Sequence, residues 1–118
     1  MVRVGTNNIG SVRFVNSAFW GPCNQIAKIA GKGTVGFGDC TFVHWDRNKE
    51  GRAAIQAEGG SVLVRGCEFQ ENKPQVELGA GVRRAVITEN LIRGKERITN
   101  NSKGNAVIAN NAADEVNK

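Results

Sequence analysis

The sequence predicts an all-β solenoid, and three observations predict it. The first is repetition. GSVRFVNSAF (Gly10 to Phe19), GTVGFGDCTF (Gly33 to Phe42) and GSVLVRGCEF (Gly60 to Phe69) are copies of one ten-residue phrase, and RRAVITENLI (Arg83 to Ile92) and GNAVIANNAA (Gly104 to Ala113) are more divergent copies. Successive copies are offset by 23, 27, 23 and 21 residues, and self-similarity at about this period marks a repeat architecture. The second observation is alternation: positions three and five of each copy are mostly apolar and alternate with small, polar or basic residues, the period of a strand with one buried face. The third is that no segment shows the apolar spacing of a long helix.

Each repeat reads as about three short strands. The first is an apolar stretch ahead of the copy: Val2 and Val4, then Ile26 and Ile29, Ile55 and Ala57, Val76 and Leu78, and Ile98. The second carries positions three and five, which hold Val12 and Phe14, Val35 and Phe37, Val62 and Val64, Ala85 and Ile87, and Ala106 and Ile108. The third ends at position ten, with Phe19, Phe42, Phe69, Ile92 and Ala113. Between the second and third the alternation loses phase. Position eight there holds Ser17, Cys40, Cys67, Asn90 and Asn111, small or amide side chains suited to a sharp bend. Parallel strands stacked coil on coil, rising roughly 4.8 Å per coil, turn these positions into ladders.

Coil length, three strands per coil and turn phrases such as ITENLI (Ile87 to Ile92) and IANNAA (Ile108 to Ala113) resemble the right-handed parallel β-helix of the pectate-lyase-like superfamily, over nearly the whole chain. The resemblance implies a right-handed solenoid of about five coils over residues 1–113, with 114–118 as a polar tail. It also implies a carbohydrate-associated function and a secreted or periplasmic location. Many functions share this scaffold, so the resemblance speaks to fold more strongly than to activity. No capping element precedes the strand-like start at Met1 to Val4, which suggests the terminal coils of a larger protein, or uncapped coil ends that self-associate.

With 118 residues the chain is one domain. Its net charge of +5 is scattered over outward positions (Arg13, Arg65, Arg84) and loops (Arg47, Lys49, Arg52, Arg93, Lys95, Arg97). No run of basic residues interleaved with aromatics appears, so nucleic acid is not the expected partner, whereas a polysaccharide or oligosaccharide is. No membrane-spanning stretch is present. Cys40 and Cys67 share position eight in adjacent coils. The favoured reading is two buried thiols, and the alternative is a disulfide strained by the close stacking of the strands. No cysteine spacing resembles a metal motif, and no cofactor is implied.

Candidate functional residues fall in the loop after position ten, the variable part of the repeat. The longest such loop, Val43 to Ala54, carries His44, Trp45, Asp46, Arg47 and Glu50. The preceding loop carries Trp20, expected directly above Trp45. Two Trp beside charged and amide groups could stack on sugar rings; the alternative is that they fold back to cover aliphatic surface. Lys28, Gln56, Glu77 and Thr99 form an outward row on the first strand, read as a further substrate contact through Lys28 and Gln56 or as a plain surface ladder. Three functions follow. The first is a non-catalytic module with substrate contacts at Trp20, Trp45, Lys28 and Gln56. The second is a polysaccharide lyase or glycoside hydrolase using His44, Asp46, Arg47 and Glu77. The third is a structural assembly piece such as part of a tailspike. Only three Asp occur (Asp39, Asp46 and Asp114), and no acid cluster aligns across coils, so no complete catalytic constellation is visible.

Overall fold

The computed structural model describes residues 1–115, which form a parallel β-solenoid of five coils without a helix. Coil one holds β1 (Val2–Val4), β2 (Ser11–Val15) and β3 (Ala18–Trp20); coil two holds β4 (Ala27–Ile29), β5 (Thr34–Gly38) and β6 (Thr41–Val43). In coil three β7 (Ile55–Arg65) is followed by β8 (Glu68–Phe69), and in coil four β9 (Val76–Thr88) by β10 (Leu91–Lys95). Coil five holds β11 (Ile98–Asn100), β12 (Asn105–Ala109) and β13 (Ala112–Glu115).

Every strand pair is parallel, and the strands line three faces. Face one stacks β1, β4, the starts of β7 and β9, and β11. Face two stacks β2, β5, the ends of β7 and β9, and β12. Face three stacks β3, β6, β8, β10 and β13. Faces one and two are one sheet, because β7 and β9 each run through the corner between them. In coils three and four, therefore, two of the three expected strands are fused. The register shifts at Ala57/Gly59 and Gly60/Ser61 let the chain turn without breaking the ladder. Gly60 serves this corner: its φ is +77°, and a Cβ there would stand 2.4 Å from the Gly33 carbonyl oxygen.

The expected columns form in register. Val12, Val35, Val62, Ala85 and Ala106 pair in succession, as do Phe14, Phe37, Val64, Ile87 and Ile108. On face three Phe19, Phe42, Phe69, Ile92 and Ala113 do the same. Rings therefore stack along the axis: Phe14 on Phe37 at 5.1 Å, Phe19 on Phe42 at 5.3 Å and Phe42 on Phe69 at 4.8 Å. Phe37 meets Phe42 edge-on at 5.6 Å and ties face two to face three. Such pairs add about 0.5–1.5 kcal/mol each beyond burial. On face one the column is Val2, Ala27, Ile55, Val76 and Ile98 beside Val4, Ile29, Ala57, Leu78 and Asn100. Ala27 thus takes the place expected for Ile26, which is buried one residue earlier.

The corner between faces two and three is made by a residue the repeat reading passed over. Position seven holds Asn16, Asp39, Gly66, Glu89 and Asn110, and all five have left-handed φ, between 50° and 67°. Position eight then points inward. Cys40 and Cys67 reach the carbonyls of Phe14 and Phe37 through Sγ, both at 3.4 Å. Asn90 and Asn111 donate through Nδ2 to Val64 and Ile87 at 3.2 and 3.3 Å. Each therefore binds the position-five carbonyl of the coil before. Cys40 and Cys67 are buried free thiols, and burial pushes the Cys67 thiol up to about 12. The last strand runs on to Glu115, so Asp114 and Glu115 belong to the solenoid; the rest of the expected tail lies outside the described residues.

Candidate functional site

The loops after position ten form one side wall of the solenoid, and the register decides what they stack against. Trp20 pairs with Val43, not with Trp45. The residue after each, Gly21 and His44, continues the stack, with Gly21 N–H and Cys23 N–H donating to the carbonyls of Val43 and His44 at 3.0 and 3.1 Å. Trp20 is 68% exposed and leans on the His44 imidazole, centroid to centroid 5.9 Å with 30° between the planes. His44 is held by Glu71 in the loop one coil on. Glu71 Oε2 accepts the His44 backbone N–H and lies 3.7 Å from Nδ1, while Oε1 is 3.1 Å from Lys73 Nζ.

Trp45 faces the other way, which corrects the expected tryptophan pair. It is fully buried, its Nε1 donates to the Pro74 carbonyl at 2.8 Å, and its ring meets Phe69 edge-on at 6.2 Å. Lys73 closes the site from above, donating to the Trp45 carbonyl at 2.7 Å with Nζ 5.9 Å from the ring centroid. No ring face is left for a sugar. The extra residues of the longest loop provide a plug for the core, not a second platform.

Asp46 is likewise occupied. It is buried, its φ is 53°, and its two carboxylate oxygens accept the backbone N–H groups of Glu50 and Gly51, both at 3.0 Å. A carboxylate that ties a loop this way is organised as a turn former. Arg47 is exposed, with its backbone N–H donating to the Cys23 carbonyl at 3.1 Å. Glu77 sits on face one in the outward row Arg3, Lys28, Gln56, Glu77 and Thr99, which forms in register. Lys28 in that row pairs with Glu58 at 3.3 Å, both half-exposed, and Gln56 is half-buried. His44, Asp46 and Arg47 share a loop, but no hydrogen bond or ion pair among the described residues joins them to one another or to Glu77. The four catalytic candidates are therefore not joined into one constellation.

Two residues that matter here were not picked out from the sequence. Glu71 stands 27 residues after His44, the same offset that separates the second and third copies, so the repeat period could have found it. Gln75 is fully buried at the corner between faces three and one. Its Nε2 donates to the carbonyls of Lys73 and Lys95 at 2.7 and 3.0 Å, and its Oε1 accepts the Arg97 backbone N–H at 2.5 Å. Its amide completes the corner in a place where backbone groups would otherwise lack partners. Among the described residues no three of His, Cys, Asp and Glu come together in a way that could hold a metal ion.

No protein-family model, curated protein or solved structure matches the chain. What stands is the architecture, a parallel β-solenoid of five coils.

Proposed function

We propose that the chain is a non-catalytic module of the pectate-lyase-like β-helix kind. It would belong to a secreted polysaccharide-processing or glycan-binding protein, and Trp20 would be its sugar-stacking anchor. The observation that carries this reading is the open Trp20 ring on a rigid wall, buttressed by His44 and its Glu71 partner. A large exposed aromatic on a sheet offers a sugar an apolar face beside polar groups. Trp20 also begins an outward row on face three. By register the row passes through Val43 and then Gln70 and Arg93, one residue beyond the paired Phe69 and Ile92. Its members are one coil apart, roughly 4.8 Å, close to the repeat of an extended pyranose chain. A glycan lying along the axis would meet Trp20 first and hydrogen-bonding side chains further on.

A glycan array probed with the wild type, Trp20→Ala and His44→Ala tests this. Binding that survives Trp20→Ala sinks the anchor role. Release of reducing or unsaturated ends, abolished by His44→Ala, would replace the module with an enzyme.

A second reading, a structural assembly piece, is favoured by one observation: Phe14 and Phe19 at one end of the stack, and Ile98 and Ile108 at the other, are only half-buried. Such surfaces suit another coil from a second copy. Sedimentation at increasing concentration, with Phe19→Asp as the comparison, distinguishes it from glycan binding.

A further inference from the structure

Face two carries two arginines from distant coils that lean toward each other. Arg13 stands on β2 in coil one, but its side chain lies over β5 of coil two. Its Nη1 is 3.2 Å from where a Cβ on Gly36 would stand. Gly36 points outward by register with Arg13, yet it is buried, with the Arg13 and Leu63 side chains over it. Arg84 stands on β9 in coil four and leans back the other way, Nε donating to Ser61 Oγ of coil three at 3.0 Å. The two guanidiniums therefore reach neighbouring coils. Between them is a shallow depression of about 320 Å³ whose floor includes Thr34, Ser61, Leu63 and Val86. No acidic side chain lines it. Among the described residues neither arginine has an ion-pair partner, in contrast to Lys28, Arg52, Arg65 and Lys73.

We propose that this depression binds an anionic substituent, a carboxylate or a sulfate, carried by a polysaccharide. Guanidinium forks match planar or tetrahedral oxyanions. The Thr34 and Ser61 hydroxyls offer further hydrogen bonds, and Leu63 and Val86 present aliphatic surface to the C–H face of the sugar that bears the charge. The outward residues of face two include no aromatic, so bases of a nucleic acid find nothing to stack on. The inference rests on the glycan-binding reading above and gives that glycan its charge class.

The test is calorimetric titration of the whole chain with dextran sulfate, polygalacturonate, neutral dextran, sodium sulfate and a DNA duplex. The acidic polymers bind with an affinity that weakens as salt rises, and neutral dextran binds markedly more weakly. The double variant Arg13→Ala/Arg84→Ala loses about tenfold or more. Leu63→Glu, which keeps both arginines but puts a carboxylate between them, loses as much. Lys32→Ala/Lys103→Ala, which removes the same two charges from exposed positions elsewhere, stays within about twofold. Thermal melting confirms that each variant is folded, since all these side chains lie on the outer surface. Wild-type affinity in the arginine double variant, or equal weakening by Lys32→Ala/Lys103→Ala, overturns the site. Sulfate alone binding as tightly as the polymers overturns the polysaccharide as source, and DNA binding as tightly overturns the glycan class. Acidic-polymer binding that Trp20→Ala abolishes and the arginine double variant does not touch sinks this site alone. If no glycan of any kind binds, the module reading fails first.

Discussion

Asn111 serves Asn90 twice: its Oδ1 accepts the Asn90 backbone N–H at 3.1 Å and the Asn90 Nδ2 at 2.9 Å. Asn90 in turn gives Oδ1 to the Cys67 backbone N–H at 2.9 Å and donates to the Val64 carbonyl at 3.2 Å. The ladder thus changes chemistry along the axis. A cysteine at this corner donates weakly to a carbonyl of the coil before and accepts only weakly from that coil's backbone, whereas an asparagine amide does both strongly.

Asn90→Ala therefore removes a buried donor and a buried acceptor together, leaving the Cys67 N–H without its partner and taking the side-chain donor from the Val64 carbonyl. The expected loss is roughly 2–4 kcal/mol, read as a lower urea midpoint. Asn90→Cys keeps the weak donation and should fall between wild type and Asn90→Ala. An alanine variant as stable as wild type would show that the corner is satisfied without the amide.

The two tryptophans should separate stability from binding. Trp45→Ala empties a fully buried site and takes one of two donors from the Pro74 carbonyl, which keeps the Ala54 N–H, for a loss of about 3–5 kcal/mol. Trp20→Ala removes an exposed ring and should leave the urea midpoint within about 0.5 kcal/mol of wild type. The reverse order would mean that the loop after β6 is not packed as described.

Much of this was legible in the sequence, for a physical reason. A parallel stack makes equivalent residues neighbours, so one alignment of the copies gives every interior column at once; Val12 to Ala106 and Phe19 to Ala113 needed nothing more. The same arithmetic places Trp20 over Val43, because the offset is 23 residues, and it would have linked His44 to Glu71. What sequence spacing does not carry is which way a side chain points where the strand ends. Trp45 looks like a surface residue between His44 and Asp46, and only the fold of the loop turns it inward. Asp46 resembles a catalytic acid until its two backbone donors are seen. Position seven was hidden because Asn, Asp, Gly, Glu and Asn share no side-chain property beyond four of them tolerating left-handed backbone.

Glu89 is the exception at that corner. Its φ is 60°, its side chain is exposed, and it pairs with Arg65 at 3.1 Å. Left-handed backbone costs a residue of this type about 1–2 kcal/mol relative to glycine, and a surface ion pair returns little of it. Glu89→Asn should therefore be neutral or stabilising. Gly66→Ala makes the opposite change one coil earlier, at φ 67° and with a Cβ 2.5 Å from the Asp39 Oδ1. It should lower stability by roughly 1–2 kcal/mol. Denaturant midpoints of the two variants check both signs.

Cys67 makes stability depend on alkaline pH. Burial pushes its thiol from the ordinary value of 9.0 up to about 12, so the folded chain keeps a proton that the unfolded chain gives up. Below pH 9 both states hold that proton and the group adds no slope. From pH 9 to about 12 the unfolded state alone ionises, and stability falls with rising pH, by up to about 1.4 kcal/mol per unit. Above that window both states ionise and the slope ends. Cys67→Ser retains a small side chain able to donate to the Phe37 carbonyl but has no proton to lose in this range. The difference in unfolding free energy between wild type and Cys67→Ser, measured from pH 8 to 11, cancels the lysines common to both chains. It should shrink steadily above pH 9, and a difference that stays flat to pH 11 would mean that the thiol titrates alike in the folded and unfolded chains.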